Sequence, residues 1–137
     1  MFNRKLRIIL DTNLWIIFIL TKDYSKLDQI LDSKSAVLLF SAELLDEFLE
    51  VVRRPKFRKY FSQEDLLGLL NQIETHAEII RVNSIVKECR DSKDDFLLAL
   101  AIDGNATHLI TGDLDLFSMK KFKNTEIVTM GVFMKTL

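Results

Sequence analysis

Short uninterrupted apolar runs alternate along this chain with longer stretches whose apolar positions recur at helical spacing, and that alternation predicts an α/β fold. Leu6–Leu10 and Ala36–Phe40 are continuous enough to be strands buried on both faces. Residues 77–82, 107–110 and 126–129 complete a set of five expected strands. The apolar residues 14–20 would also suit a strand. A helix is preferred because Asn13 can cap it and a second strand would leave no room for a turn. Ser25–Asp32 carries Leu27, Ile30 and Leu31 at helical spacing. Ser41 caps a helix over 42–54, and Ser62 begins another that carries Leu66, Leu67, Leu69, Leu70 and Ile73. Asp94 and Asp95 open a helix that is apolar nearly all round, hence buried, and Gly104-Asn105 ends it. Residues 131–135 are expected to add a last helical turn. Strands alternating with helices imply a mostly parallel sheet covered on both faces.

Composition narrows this picture without redirecting it. With 48% apolar residues and a single Pro, the 137 residues suffice for one domain, 1–137, with a substantial core. The lone Cys89 rules out an internal disulfide and supports a reducing compartment. The apolar residues 14–20 fall far short of the roughly 20 needed to span a bilayer. Arg4, Lys5 and Arg7 would suit a signal peptide, but Asp11 breaks its apolar segment. A cytoplasmic protein without a membrane partner is expected. A net charge of −1 provides no global attraction for a polyanion, so any such ligand must be held locally. Arg53, Arg54, Lys56, Arg58 and Lys59, interleaved with Phe57, Tyr60 and Phe61, form the one basic cluster that qualifies. The same cations also suit a solvated helix end halted by Pro55, and both readings stand at this stage.

The candidate chemistry lies in four acidic words: Asp11-Thr12-Asn13 after the first strand, Glu47 in a helix, Asp94-Asp95 at a helix start, and Thr111-Gly112-Asp113-Leu114-Asp115 after the fourth strand. Successive helical residues rotate by about 100°, which puts Glu47 roughly 40° from Val51 at the edge of the apolar arc. Glu43, Asp46 and Glu50 fall further into the polar side. In an open parallel sheet the functional crevice lies beyond the carboxyl ends of the strands, where Asp11 and Asp113 stand. Acids gathered there repel one another unless a cation is present, and an oxygen-only donor set suits Mg²⁺ or Mn²⁺. Such a site supports metal-assisted phosphodiester hydrolysis, with Asp11 and Asp94 as central ligands and Asp113 as a third. Glu47 or Asp115 would ligate the metal or orient the water. Taken singly each acid also suits a turn, a helix start or a helix surface. His76 and His108 lie outside every acidic word and read as surface or structural residues.

The ordered set Ile8-Ile9-Leu10-Asp11-Thr12-Asn13, Leu45-Asp46-Glu47, the segment from Asp91 to Ala101, and Leu109-Ile110-Thr111-Gly112-Asp113-Leu114-Asp115-Leu116 resembles the PIN-domain nucleases over essentially the whole chain. With Arg53-Arg54-Pro55-Lys56 it resembles more narrowly the PIN-family toxins of prokaryotic toxin–antitoxin systems. The resemblance implies a three-layer α/β/α domain around a mostly parallel five-stranded sheet. It also implies Mg²⁺- or Mn²⁺-dependent ribonuclease activity, homodimerisation and a cognate antitoxin. Carried over residue by residue, the acidic set is Asp11, Glu47, Asp94 and Asp113, with Asp115 an alternative for the last acid. Asn13, Thr111, Arg53, Arg54 and Lys56 are then expected on the substrate side. A dehalogenase-like phosphatase would want Asp where Asn13 stands, a receiver domain lacks its phosphoacceptor, and no P-loop is present. A catalytically weak module that binds RNA or protein is the non-enzymatic alternative.

Overall fold

A computed structural model describes residues 6–33, 36–87 and 94–137; Arg4, Lys5, Cys89 and the motif positions 91–93 lie outside them. The strands are β1 (Leu6–Leu10), β2 (Ala36–Phe40), β3 (Ala77–Ile79), β4 (His108–Ile110), β5 (Lys121–Phe122) and β6 (Thr125–Val128). They form one sheet in the order β3-β2-β1-β4-β6-β5, parallel throughout except for β5. Ile8, Ile9 and Leu10 are all buried although successive strand residues face opposite sides, so both faces of the sheet are covered.

The helices are α1 (Thr12–Thr21), α2 (Ser25–Asp32), α3 (Ala42–Val52), α4 (Pro55–Arg58), α5 (Gln63–His76), α6 (Asp95–Asp103), α7 (Leu114–Phe117) and α8 (Met130–Met134). Trp15 of α1 packs edge-on against Phe18 and Phe48 and tilted against Phe40, with ring centroids 6.0, 6.5 and 5.2 Å away, and this aromatic group ties α1 to α3 above β2.

Several local expectations change, each for a physical reason. The sheet has a sixth strand, β5, whose two residues are too few to show a period; it pairs with β6 through a tight turn in which Lys123 adopts φ 53°. β3 stops at Ile79 rather than 82 because Ile80 N–H already reaches the carbonyl of Phe40, where β2 ends and no partner remains. The cap of α1 is Asp11, not Asn13: its side chain accepts the N–H of Leu14. α3 ends at Val52 because Pro55 forces Arg54 into an extended conformation (ψ 139°), and Pro55 then opens α4. At the end of α6 the left-handed residue is Asn105 (φ 51°), while Gly104 keeps a right-handed conformation. Gly104 is needed for space, since a Cβ there would stand 2.9 Å from both the Leu100 carbonyl and the Leu39 side chain.

The strand order places a topological switch between β1 and β4. From β1 the chain builds outward through β2 and β3, then returns to β4 on the other side. In open α/β sheets ligand crevices lie beyond the strand ends at such a switch. Leu10 pairs in register with Ile110, and Asp11 N–H donates to the Ile110 carbonyl at 3.1 Å, so Asp11 and Thr111 leave the sheet side by side.

Candidate active site

Asp11 sits where β1 becomes α1 and is only 4% exposed. One carboxylate oxygen accepts the Leu14 N–H at 3.0 Å and the other accepts the hydroxyl of Thr111. Burial drives its pKa above the ordinary carboxylate value; the bonds from Thr111 and Leu14 pull it back down, and the nearby charge of Asp113 raises it again. The Thr111 oxygen in turn accepts the Asp113 N–H at 3.0 Å, and the Asp113 carboxylate accepts the Asp115 N–H at 2.8 Å as the cap of α7. Thr111 therefore ties the loop after β4 to the loop after β1. Thr111 is 1% exposed and its hydroxyl is taken up by Asp11 and the Asp113 N–H, so it supports the acids rather than facing the substrate side that the sequence suggests.

Glu47 reaches the same place from α3. It is half-buried, whereas Glu43, Asp46 and Glu50 of that helix are exposed, in agreement with its position at the edge of the apolar arc. Its carboxylate accepts the hydroxyl of Thr12 at 2.9 Å. Thr12, 7% exposed, had no role in the reading of the sequence. Its one signal is a hydroxyl next to the strand-end acid, on a helix that is otherwise almost wholly apolar. Asp94 occupies the N-cap position of α6 and makes no capping hydrogen bond with its side chain.

Asp11, Glu47, Asp94 and Asp113 line one cleft of about 250 Å³. Asn13, Arg54, Lys56 and Phe57 share it, over an apolar wall of Ile16, Val51 and Leu97. Three of the four acids stand at the starts of helices α1, α6 and α7, where the partial positive charge of the first turn favours a carboxylate. Asp115, Arg53 and Thr111 do not line the cleft. Asp115 is exposed, and Arg53 is exposed with its carbonyl accepting the Arg58 Nε–H at 3.1 Å. A larger groove of about 450 Å³ lies between α2 and α5, away from this acid set. His76 is exposed, His108 packs edge-on against Phe133 with its Nδ1 2.8 Å from the Thr107 hydroxyl, and neither lines the cleft.

An all-oxygen set of this kind matches a hard divalent cation in donor type. Among the described residues no three acidic, His or Cys side chains are drawn close enough together to enclose an ion. The acids thus share a cleft while remaining spread around it. Also among the described residues, no helix is long and apolar enough to cross a membrane.

Comparison with known proteins bears on the whole arrangement. The family model of the PIN domain matches residues 7–115, a span that contains all four cleft acids and Asp115. Among solved structures, the fold is similar to a chain of VapBC2 from Rickettsia felis, a complex bound to a DNA fragment from its promoter. The TM-score is 0.61 at 18% identity, covering 89% of this chain and 97% of that one. A search of curated proteins by sequence gives no significant match.

Proposed function

The chain belongs to the PIN-domain family, and from that premise we propose that it is a metal-dependent endoribonuclease that hydrolyses RNA phosphodiester bonds and acts as the toxin of a toxin–antitoxin pair. The observation that carries this reading is the gathering of Asp11, Glu47, Asp94 and Asp113 into one cleft with Arg54 and Lys56 on its wall. When bound, Mg²⁺ or Mn²⁺ supplies Lewis-acid chemistry, lowering the pKa of water and offsetting charge on the phosphate.

Asp11, Asp94 and Asp113 are the residues that hold the ion in this proposal. The raised pKa of Asp11 supports that role, because a carboxylate desolvated beside Asp113 gains most from a cation. Glu47, held by the Thr12 hydroxyl, orients the attacking water and accepts its proton. Asp115 is assigned no water-orienting role, since it is exposed and outside the cleft. Arg54 and Lys56 pair with phosphates flanking the scissile one, and Asn13 offers its amide to the substrate. The likeness to VapBC2 supports a cognate antitoxin as partner; a homodimer is part of the proposal as what the PIN-toxin resemblance implies.

The spread of the four carboxylates favours one second reading, a PIN-like module that binds RNA or protein with little turnover. The two separate in cleavage of a mixed panel of structured and single-stranded RNAs, with Mn²⁺ or Mg²⁺ and with chelator, by the wild type and Asp11→Asn in parallel. Metal-dependent cleavage lost in the variant is expected. Binding without cleavage in either protein would replace the enzyme with the module.

A further inference from the structure

We propose that the Phe57 ring is a stacking platform for a nucleobase beside the phosphate held in the acid cleft, and that the Lys56 side chain covers this ring when no RNA is present. The inference rests on the ribonuclease reading of the cleft. Pro55 opens the single turn α4 directly after α3, and this sharp junction brings Arg54, Lys56 and Phe57 into the cleft that holds the acids. Phe57 is the aromatic residue of that lining. It is half-buried, packed against the core and also reached from the cleft, so the ring is anchored rather than free to swing.

The Lys56 Nζ lies 5.0 Å from the Phe57 ring centroid. An exposed contact of this kind contributes about 2- to 5-fold in affinity terms, whereas a base stacked on an aromatic side chain contributes about 5- to 150-fold. A phosphate that draws Lys56 away therefore uncovers a surface on which a base gains more than the ammonium loses. Bases within a duplex already have both faces stacked, so the platform selects a nucleotide whose base is unpaired.

Tyr60 repeats the arrangement three residues on, with the Lys59 Nζ 5.2 Å from its ring, but it lies outside the cleft lining and serves as the internal control.

The test measures fluorescence anisotropy of a labelled, unstructured 12-nucleotide RNA and of the same strand annealed to its complement. Both are bound to Asp11→Asn protein in Mg²⁺, with strand integrity checked on a gel. Phe57→Leu is expected to weaken single-strand binding by about 5- to 100-fold, with little change for the duplex and an unchanged salt dependence. Phe57→Trp, which keeps a stacking face, is expected to stay within about threefold of the parent. Lys56→Gln should lower the salt slope instead. Melting curves confirm that each variant is folded. Equal single-strand binding by folded Phe57→Leu, or an equal loss from Tyr60→Leu, overturns the platform while leaving wild-type cleavage and the ribonuclease reading intact. Absence of RNA binding and of wild-type cleavage overturns both.

Discussion

The two ends of the central sheet use charge in opposite ways. At the amino end of β1, Arg7 has every branch engaged, and two of the three meet a carboxylate. Its guanidinium forks onto Glu78 at 2.9 and 3.2 Å, and its Nε–H donates to the Gly104 carbonyl at 2.7 Å. At the carboxyl end of the same strand, Asp11 shares a cleft with three further acids, and its hydrogen bonds come from neutral donors, a hydroxyl and a backbone N–H. A carboxylate needs no cation partner to be held in place, but without one its burial goes uncompensated; the upward shift of the Asp11 pKa records chiefly that desolvation, with the charge of Asp113 adding to it. The difference teaches how to tell the two kinds of polar cluster apart. Opposite charges closed on each other stabilise a fold, and like charges positioned by neutral groups are arranged for something that arrives later.

The largest test of this contrast is Asp11→Asn. Metal-dependent RNA cleavage should fall on the order of 10³-fold, while thermal stability at neutral pH stays level or rises, because Asn caps a helix as well as Asp. The pH dependence has a defined sign. With its folded pKa raised, Asp11 binds more protons folded than unfolded over the window from about its ordinary value of 3.8 up to the raised value. Wild-type stability is therefore lost as pH rises through that window, and denaturation titrations should show that loss flattened in Asp11→Asn. A steep loss of stability on substitution would mean that Asp11 serves the fold after all.

Thr12→Val should come next, lowering kcat by about 10- to 100-fold by releasing Glu47, with Thr12→Ser retaining most activity. A KM effect alone would place Thr12 on substrate instead. At the other end of the sheet the signs should reverse. Arg7→Met is expected to lower unfolding free energy by about 1.5–3 kcal/mol in denaturant titration while cleavage per folded molecule is unchanged. Gly104→Ala should cost about 1–3 kcal/mol through crowding against Leu100 and Leu39, again without touching the chemistry. Loss of specific activity in either variant would erase the distinction between the two ends.

Much of the architecture was legible in residue order alone. β1, β2 and α2 have the bounds that their apolar patterns predict, and the position of Glu47 at the edge of its helix's apolar arc agrees with its partial burial. What local pattern missed has local causes of another kind. A two-residue strand such as β5 has no period to detect, and the shortened β3 depends on where its neighbour β2 stops. The site was legible as a set of acids but not as a geometry. Nothing in Thr111 announces that its hydroxyl joins Asp11 to Asp113, and nothing in Asp115 or Arg53 announces that they fall outside the cleft.

Sequence by itself determined the class of fold, the alternation of strand and helix, and which acids stand at strand ends and helix starts, because hydrophobic periodicity and capping act over a few residues. The tertiary structure decided which of those acids meet. Asp11 and Thr111 are 100 residues apart and become hydrogen-bonded neighbours only through the parallel register of β1 with β4. Glu47 joins them because α3 packs on α1, with Trp15 against Phe48 among the contacts and the Thr12 hydroxyl on the Glu47 carboxylate. Such proximity is set by long-range pairing and core packing, where every contact depends on the placement of the others.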